Sequence, residues 1–179
     1  VTLIGSYAFK DCNALSDIYI PDSVNEIGRL VVAGTEFFNK NSNWQNGVLY
    51  CGNHLLHMHP EFMGSYRIKD GTKTIAWDAF SQCILLTSVE IPNTVIYIGC
   101  DAFHSCDELK AVTLPQYITE IESGLFAYCF SLSEITIPDT VTRIGECAFL
   151  GCSGLEILDM STNIKVIESS AFVSCVGLL

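Results

Sequence analysis

Two groups of side chains have the types and spacing for chemistry. The stretch AFHSCDELKAVTLP, residues 102–115, places Cys106 two positions after His104 and directly before Asp107 and Glu108. A thiol among an imidazole and carboxylates is the raw material of a nucleophile, or of half a metal site. Upstream, Cys51, His54, His57, His59 and Glu61 fall close together. On a strand, His57 and His59 would share a face at a distance that suits a transition metal.

What such residues do depends on the elements that hold them, and this chain is periodic. Phe80, Phe103, Phe126, Phe149 and Phe172 are 23 residues apart, and so are Cys83, Cys106, Cys129, Cys152 and Cys175. Leu86, Leu109, Leu132, Leu155 and Leu178 keep the same step, as do Pro92, Pro115 and Pro138, until Ser161 breaks the proline series. An earlier copy holds Phe9, Cys12, Leu15 and Pro21. Adding 23 to Ala8, Phe9, Cys12 and Leu15 reaches Val31, Val32, Thr35 and Phe38, a degenerate copy that keeps its apolar positions. Ile68, with Lys69 in the proline slot, restores the phase. Between these anchors lie about 25 extra residues, near 40–65, whose Asn46-Gly47 pair flanked by apolar residues predicts a β-hairpin leaving the coil.

Each period has two textures. In LKAVTLP, Leu109, Val112 and Leu114 form a strand that ends in period-2 alternation and stops at proline. In AFHSCDEL, Phe103, Cys106 and Leu109 are spaced by three, as on one face of a tight turn or 3₁₀ piece. One unit cannot cover its own apolar face, whereas stacked units can, so the expectation is a solenoid with one continuous core.

This pattern closely resembles the BspA-like (Treponema-type) leucine-rich repeats. It runs as I-G-x-x-A-F-x-x-C-x-x-L-x-x-I-x-I-P and is clearest at 98–120, 121–143 and 144–166. The resemblance spans essentially the whole chain. It implies an α/β leucine-rich-repeat solenoid, right-handed and strand-rich, with short helical or 3₁₀ turns. The expected organisation is a single domain over 1–179, with repeats near 4–26, 27–74 (hairpin insert about 40–65), 75–97, 98–120, 121–143, 144–166 and a partial one at 167–179. The chain opens in mid-motif with VTLIG and stops where another strand should begin, so it is expected to be a segment of something longer. The resemblance further implies a non-enzymatic adhesion module, extracellular at a bacterial cell surface, that binds host matrix or cell-surface proteins without a cofactor. The alternative is a spacer within a larger surface protein.

Composition agrees with that class. Of the residues, 49% are hydrophobic and 16% charged, which argues against disorder. The net charge of −11 repels phosphate backbones and anionic lipid, which excludes nucleic acid as an electrostatic partner. No apolar run approaches the ~20 residues of a membrane-spanning helix.

Against this repeat, the reactive groups read differently. A nucleophile is needed once, but the cysteine recurs in six copies, in step with Phe and Leu. The ladder Phe9, Phe80, Phe103, Phe126, Phe149 and Phe172 with Cys12, Cys83, Cys106, Cys129, Cys152 and Cys175 therefore reads as interior, its thiols reduced. Parallel rungs ~4.8 Å apart also suit disulfides poorly. Cys51, Cys100 and Cys147 lie outside this ladder and are expected to be the accessible thiols. His54, His57 and His59 remain a weak metal candidate on a strand expected to face water. The side chains that point out of the strands vary from copy to copy: Asp17 and Tyr19, Ser88 and Glu90, Ala111 and Thr113, Glu134 and Thr136, Ile157 and Asp159. This stripe is the candidate binding face, with Trp44, Tyr50 and Met58 of the insert as a possible apolar anchor at its edge.

Overall fold

The computed structural model describes residues 1–178. The chain opens with β1 (Leu3–Ile4) and β2 (Glu26–Ile27), followed by α1 (Glu36–Asn39) and a 3₁₀ turn at Asn41–Asn43. The insert supplies β3 (Trp44–Gln45), β4 (Val48–Cys51) and β5 (His54–Met58). From there wide-face strands alternate with return strands: β6 (Gly64–Arg67), β7 (Thr74–Ile75), β8 (Leu86–Glu90), β9 (Tyr97–Ile98) and β10 (Ala111–Thr113). The series continues as β11 (Glu120–Ile121), β12 (Glu134–Thr136), β13 (Arg143–Ile144), β14 (Ile157–Asp159) and β15 (Val166–Ile167). Pairing between coils is parallel and steps by 23 residues, as in Ser88 with Ala111 and Ile121 with Ile144. The result is a strand-rich solenoid with little helix.

A third side of each coil is built by turns rather than by 3₁₀ helix. Each turn carries two left-handed residues four positions apart, for example Asp101 (φ 55) with Ser105 (φ 56), and Cys147 (φ 55) with Gly151 (φ 75). That reversal aims alternate amides along the solenoid axis. In one coil Asp101, Phe103 and Ser105 donate to the carbonyls of Ser123, Leu125 and Ala127, at 3.0, 3.0 and 2.8 Å. The turn side is thus a hydrogen-bonded ladder of its own, which spacing by three does not reveal.

Inside, Phe80, Phe103, Phe126 and Phe149 are fully buried. Together with Phe172 their rings stack nearly parallel, with centroids 4.8, 5.5, 5.4 and 5.2 Å apart. Beside them four of the six ladder thiols reach the preceding coil: Cys106, Cys129, Cys152 and Cys175 donate to the carbonyls of Phe80, Phe103, Phe126 and Phe149 at 3.0–3.1 Å. These sulfurs therefore bond as well as pack. In the first and last described coils the pattern is looser. Phe9, Phe172 and Cys175 are half-buried and Cys12 is exposed, contrary to the expectation that all twelve ladder residues line the interior.

The insert departs most from expectation. Its first turn is the two-residue type anticipated, with Asn46 (φ 50) and Gly47 (φ 81) both left-handed. The hairpin does not leave the coil, however. β4 pairs antiparallel with β3 and β5, and β5 pairs parallel with β7, so the hairpin is built into the return sheet. Val48, Tyr50, Leu55 and Met58 join the large core that runs to Ala171, while Leu49, Cys51 and Leu56 join a smaller one with Ile20, Val24, Ile27, Val31, Val32 and Phe37. The single continuous core expected is thus two cores, one on either side of the hairpin. β6 then extends the wide face next to β8.

Candidate recognition face

Strand pairing sets the outward side chains in two rows. One runs Ser65, Ser88, Ala111 and, beyond β10, Glu134 and Ile157; the other runs Arg67, Glu90, Thr113, then Thr136 and Asp159. Ser65 and Arg67 were not foreseen, because the insert hides the phase of β6. Their signal is the step of 23 from Ser88 and Glu90. Glu90, Thr113, Glu134, Thr136, Ile157 and Asp159 are exposed, Ile157 by 59%, and Ser88 is half-buried. Asp17 and Tyr19 are also exposed, Tyr19 by 82%, but their segment forms no strand. Arg67 lies 3.5 Å from Glu90 and 3.6 Å from Asp70, so positive charge neutralises this end of the face.

Towards the other end, β10, β12 and β14 with the loops that follow them form a trough of about 870 Å³. Glu134, Asp139 and Asp159 line it with the hydroxyls of Thr113, Thr136 and Tyr117, and no basic side chain is among its lining residues. Ile135 and Ile137, buried beneath, hold β12 in place. The trough offers acceptors and hydroxyls to a polar or cationic surface.

The other candidates fall elsewhere. Trp44, Tyr50 and Met58 do not form an anchor beside this face: Met58 is fully buried and Tyr50 nearly so, its hydroxyl 3.0 Å from that of Tyr66. Trp44 packs edge-on to Phe38 at 5.2 Å and donates to the Phe38 carbonyl. His54 is fully buried, not on a wet strand, with Nδ1 2.8 Å from the Thr74 hydroxyl. His57 sits against the rings of Phe38 and Trp44, 5.9 and 6.0 Å away. Burial pushes both imidazoles below their ordinary pKa. Among the described residues, no three His, Cys, Asp or Glu side chains are placed to share a metal ion. Cys51 is buried, donating to the Ile18 carbonyl at 3.2 Å, because the hairpin that carries it is walled in on both faces. His104 lies 5.3 Å from the Tyr128 ring and beside the Ser105 hydroxyl, on the turn side, while the Cys106 thiol points inward. Among the described residues, no helix is long and apolar enough to cross a membrane.

Comparison with known proteins agrees with this architecture. A leucine-rich cell surface protein from Faecalibacterium prausnitzii A2-165 is 29% identical, with a TM-score of 0.73 over 100% of this chain and 50% of its own. The T. pallidum leucine-rich repeat protein is also 29% identical, with a TM-score of 0.65 over 70% of this chain and 60% of its own. The pneumococcal vaccine antigen PcpA shares the fold at 23% identity and a TM-score of 0.69, over 99% of this chain and 47% of its own. The chain thus spans about half to three-fifths of the length of these structures. No curated protein matches it. Six copies of the BspA type leucine rich repeat region match residues 1–57 and 73–179, leaving a gap at the end of the insert, and the chain therefore belongs to the BspA type leucine-rich repeat family.

Proposed function

We propose that the chain is a non-enzymatic recognition module of a bacterial cell-surface protein, and that its wide strand face binds a host matrix or cell-surface protein. The observation that carries this reading is the trough over β10, β12 and β14. Its walls are exposed, polar and acidic, while the positions beneath keep one apolar pattern from coil to coil. A repeat scaffold that fixes its interior and varies one outer stripe presents a contact surface. The resemblance to the F. prausnitzii cell surface protein supports the location. The acidic lining favours a partner with a basic patch, which would bring charge complementarity and a salt-sensitive on-rate.

The test is binding to immobilised extracellular matrix proteins across a salt titration, with Glu134→Lys/Asp159→Lys as the variant. Reversing both charges should weaken binding by about tenfold or more and leave the melting curve unchanged, since both residues are exposed. Equal binding by wild type and variant at every salt concentration would remove the strand face as the site.

A further inference from the structure

Inter-coil hydrogen bonds recur along the solenoid with the regularity of the sequence, except at one joint. On the wide face, Lys110 N–H donates to the Thr87 carbonyl at 2.9 Å and Glu156 to Ser133 at 2.9 Å. Ile91 donates forward to Thr113 at 3.3 Å, and Ile137 to Asp159 at 2.8 Å. On the return side, Ile96 donates to Lys73 and Thr142 to Thr119, while Gly99 donates to Ile75 and Gly145 to Ile121, all at 2.8–3.0 Å. Counted from the return strands, the residues in the same register between the coil 96–118 and the coil 119–141 are Leu114, Thr119, Glu122 and Ser133. None of these four amides makes a backbone hydrogen bond. The sheets break there too: β10 ends one sheet and β12 begins another, and β9 and β11 part in the same way.

Unlike the earlier break at the insert, this one has no extra residues to account for it, because both coils are 23 residues long. The two sides open at the same joint. The trough lies over β10 and β12, and a second cleft of about 210 Å³, lined by Tyr97, Ile98, Thr119, Glu120 and Glu122, lies over β9 and β11. What spans the joint is the turn ladder from Asp101, Phe103 and Ser105, the Ser131 amide donating to the Asp107 carbonyl at 3.2 Å, and side-chain links such as Cys129 Sγ to the Phe103 carbonyl. The Thr140 hydroxyl also straps the joint, 2.8 and 2.7 Å from the carbonyls of Gln116 and Ile118. A side chain in the slot that Gly99 and Gly145 occupy is not the sole cause, since Glu168 fills the same slot and keeps its bond to Ile144 at 2.9 Å.

We infer that this joint is a built-in point of opening that divides the solenoid into two blocks, residues 1–118 and 119–178, which separate along the strands while the turn ladder stays closed. Solenoid stability is a sum of coil and nearest-neighbour terms, so the interface with the fewest bonds opens at the lowest free energy. The inference concerns the fold alone and holds whether or not the strand face binds a partner.

Native-state amide exchange on the intact chain tests it. Leu114, Thr119, Glu122 and Ser133 should exchange at least about tenfold faster, corrected for intrinsic rates, than Ile91, Ile137, Thr142, Gly145, Lys110 and Glu156. Thr140→Val, which cuts a strap, should speed the first group several-fold further and leave the second unchanged. Equal protection in the two groups would overturn the inference. So would a Thr140→Val effect of the same size on every amide, which would mean that exchange proceeds through global unfolding.

Discussion

A cysteine thiol is a weak donor as well as a small apolar group, and the ladder uses both properties. Cys106, Cys129 and Cys152 each fill the space beside a phenylalanine ring and cap the carbonyl of the phenylalanine one coil back, while Cys83, next to the insert, is directed at the His59 carbonyl at 3.8 Å. Thr35 shows what replaces the thiol: in the degenerate copy the hydroxyl donates to Val32 of its own coil and accepts from Phe38 N, starting α1 instead of linking two coils. Burial raises the Cys83 thiol to about 12 and lifts Cys129 and Cys152 as well, so the nucleophilic thiolate is suppressed. A thiol reagent should therefore modify exposed Cys12 first and half-buried Cys147 after it. Cys51, Cys83, Cys106, Cys129 and Cys152 should react only on unfolding, and denaturant without reductant should release all nine. Mass-resolved labelling checks this, and rapid native labelling of Cys106 would contradict it. The phenylalanines act through area. Phe126 lies between Phe103 and Phe149, and Phe126→Ala should cost about 3–5 kcal/mol in a urea melt. A loss below ~1 kcal/mol would mean the stack is not what holds these coils.

At the scale of elements, the insert is where charge and packing meet. His54 and His57 are held neutral by burial, with folded pKa values below the ordinary one. His54 has the Pro21 carbonyl and Asp22 acting to raise its pKa and Lys73 acting to lower it, while His59 lowers that of His57. The sign follows: near pH 7.5 neither state binds the proton, and below about 6.5 the unfolded chain takes up protons that the folded chain resists. Stability should then fall as pH drops from 7.5 to 5.5, by at most about 1.4 kcal/mol per pH unit for each ring. Urea midpoints measure this, and the slope should flatten in His54→Gln/His57→Gln. A slope in the double variant equal to that of wild type would assign the acid sensitivity to other groups. The repeat phase, the Asn46-Gly47 turn and the register of the outward stripe were legible in the sequence because each is a local or strictly periodic signal. The seat of the hairpin was not. Val48-Leu49-Tyr50-Cys51 is an unbroken apolar run, and such a run marks a strand covered on both faces, whereas a hairpin projecting into water would alternate. Nor were the left-handed turn residues legible, since Tyr7, Leu30, Gln82 and Cys147 stand at positions where glycine or aspartate would have given a signal.

Across the whole molecule, the coils behave as a row in which each depends on its neighbours. Two places interrupt the row: the hairpin, which separates the cores, and the joint after residue 118, which lacks strand bonds. The trough lies over that joint, so the acidic wall formed by Glu134 and Asp159 belongs to one block and the wall formed by Thr113 and Gln116 to the other. The hairpin has a consequence of another kind. By closing the large core with Val48, Tyr50, Leu55 and Met58, it serves as a bulkhead inside the array. Repeat arrays grow and shrink by recombination between near-identical units, and each such event risks stranding a raw apolar face. On the N-terminal side of this bulkhead, coils can be gained or shed while the large core stays sealed, provided one coil remains to cover Leu49, Cys51 and Leu56 on the hairpin's other face.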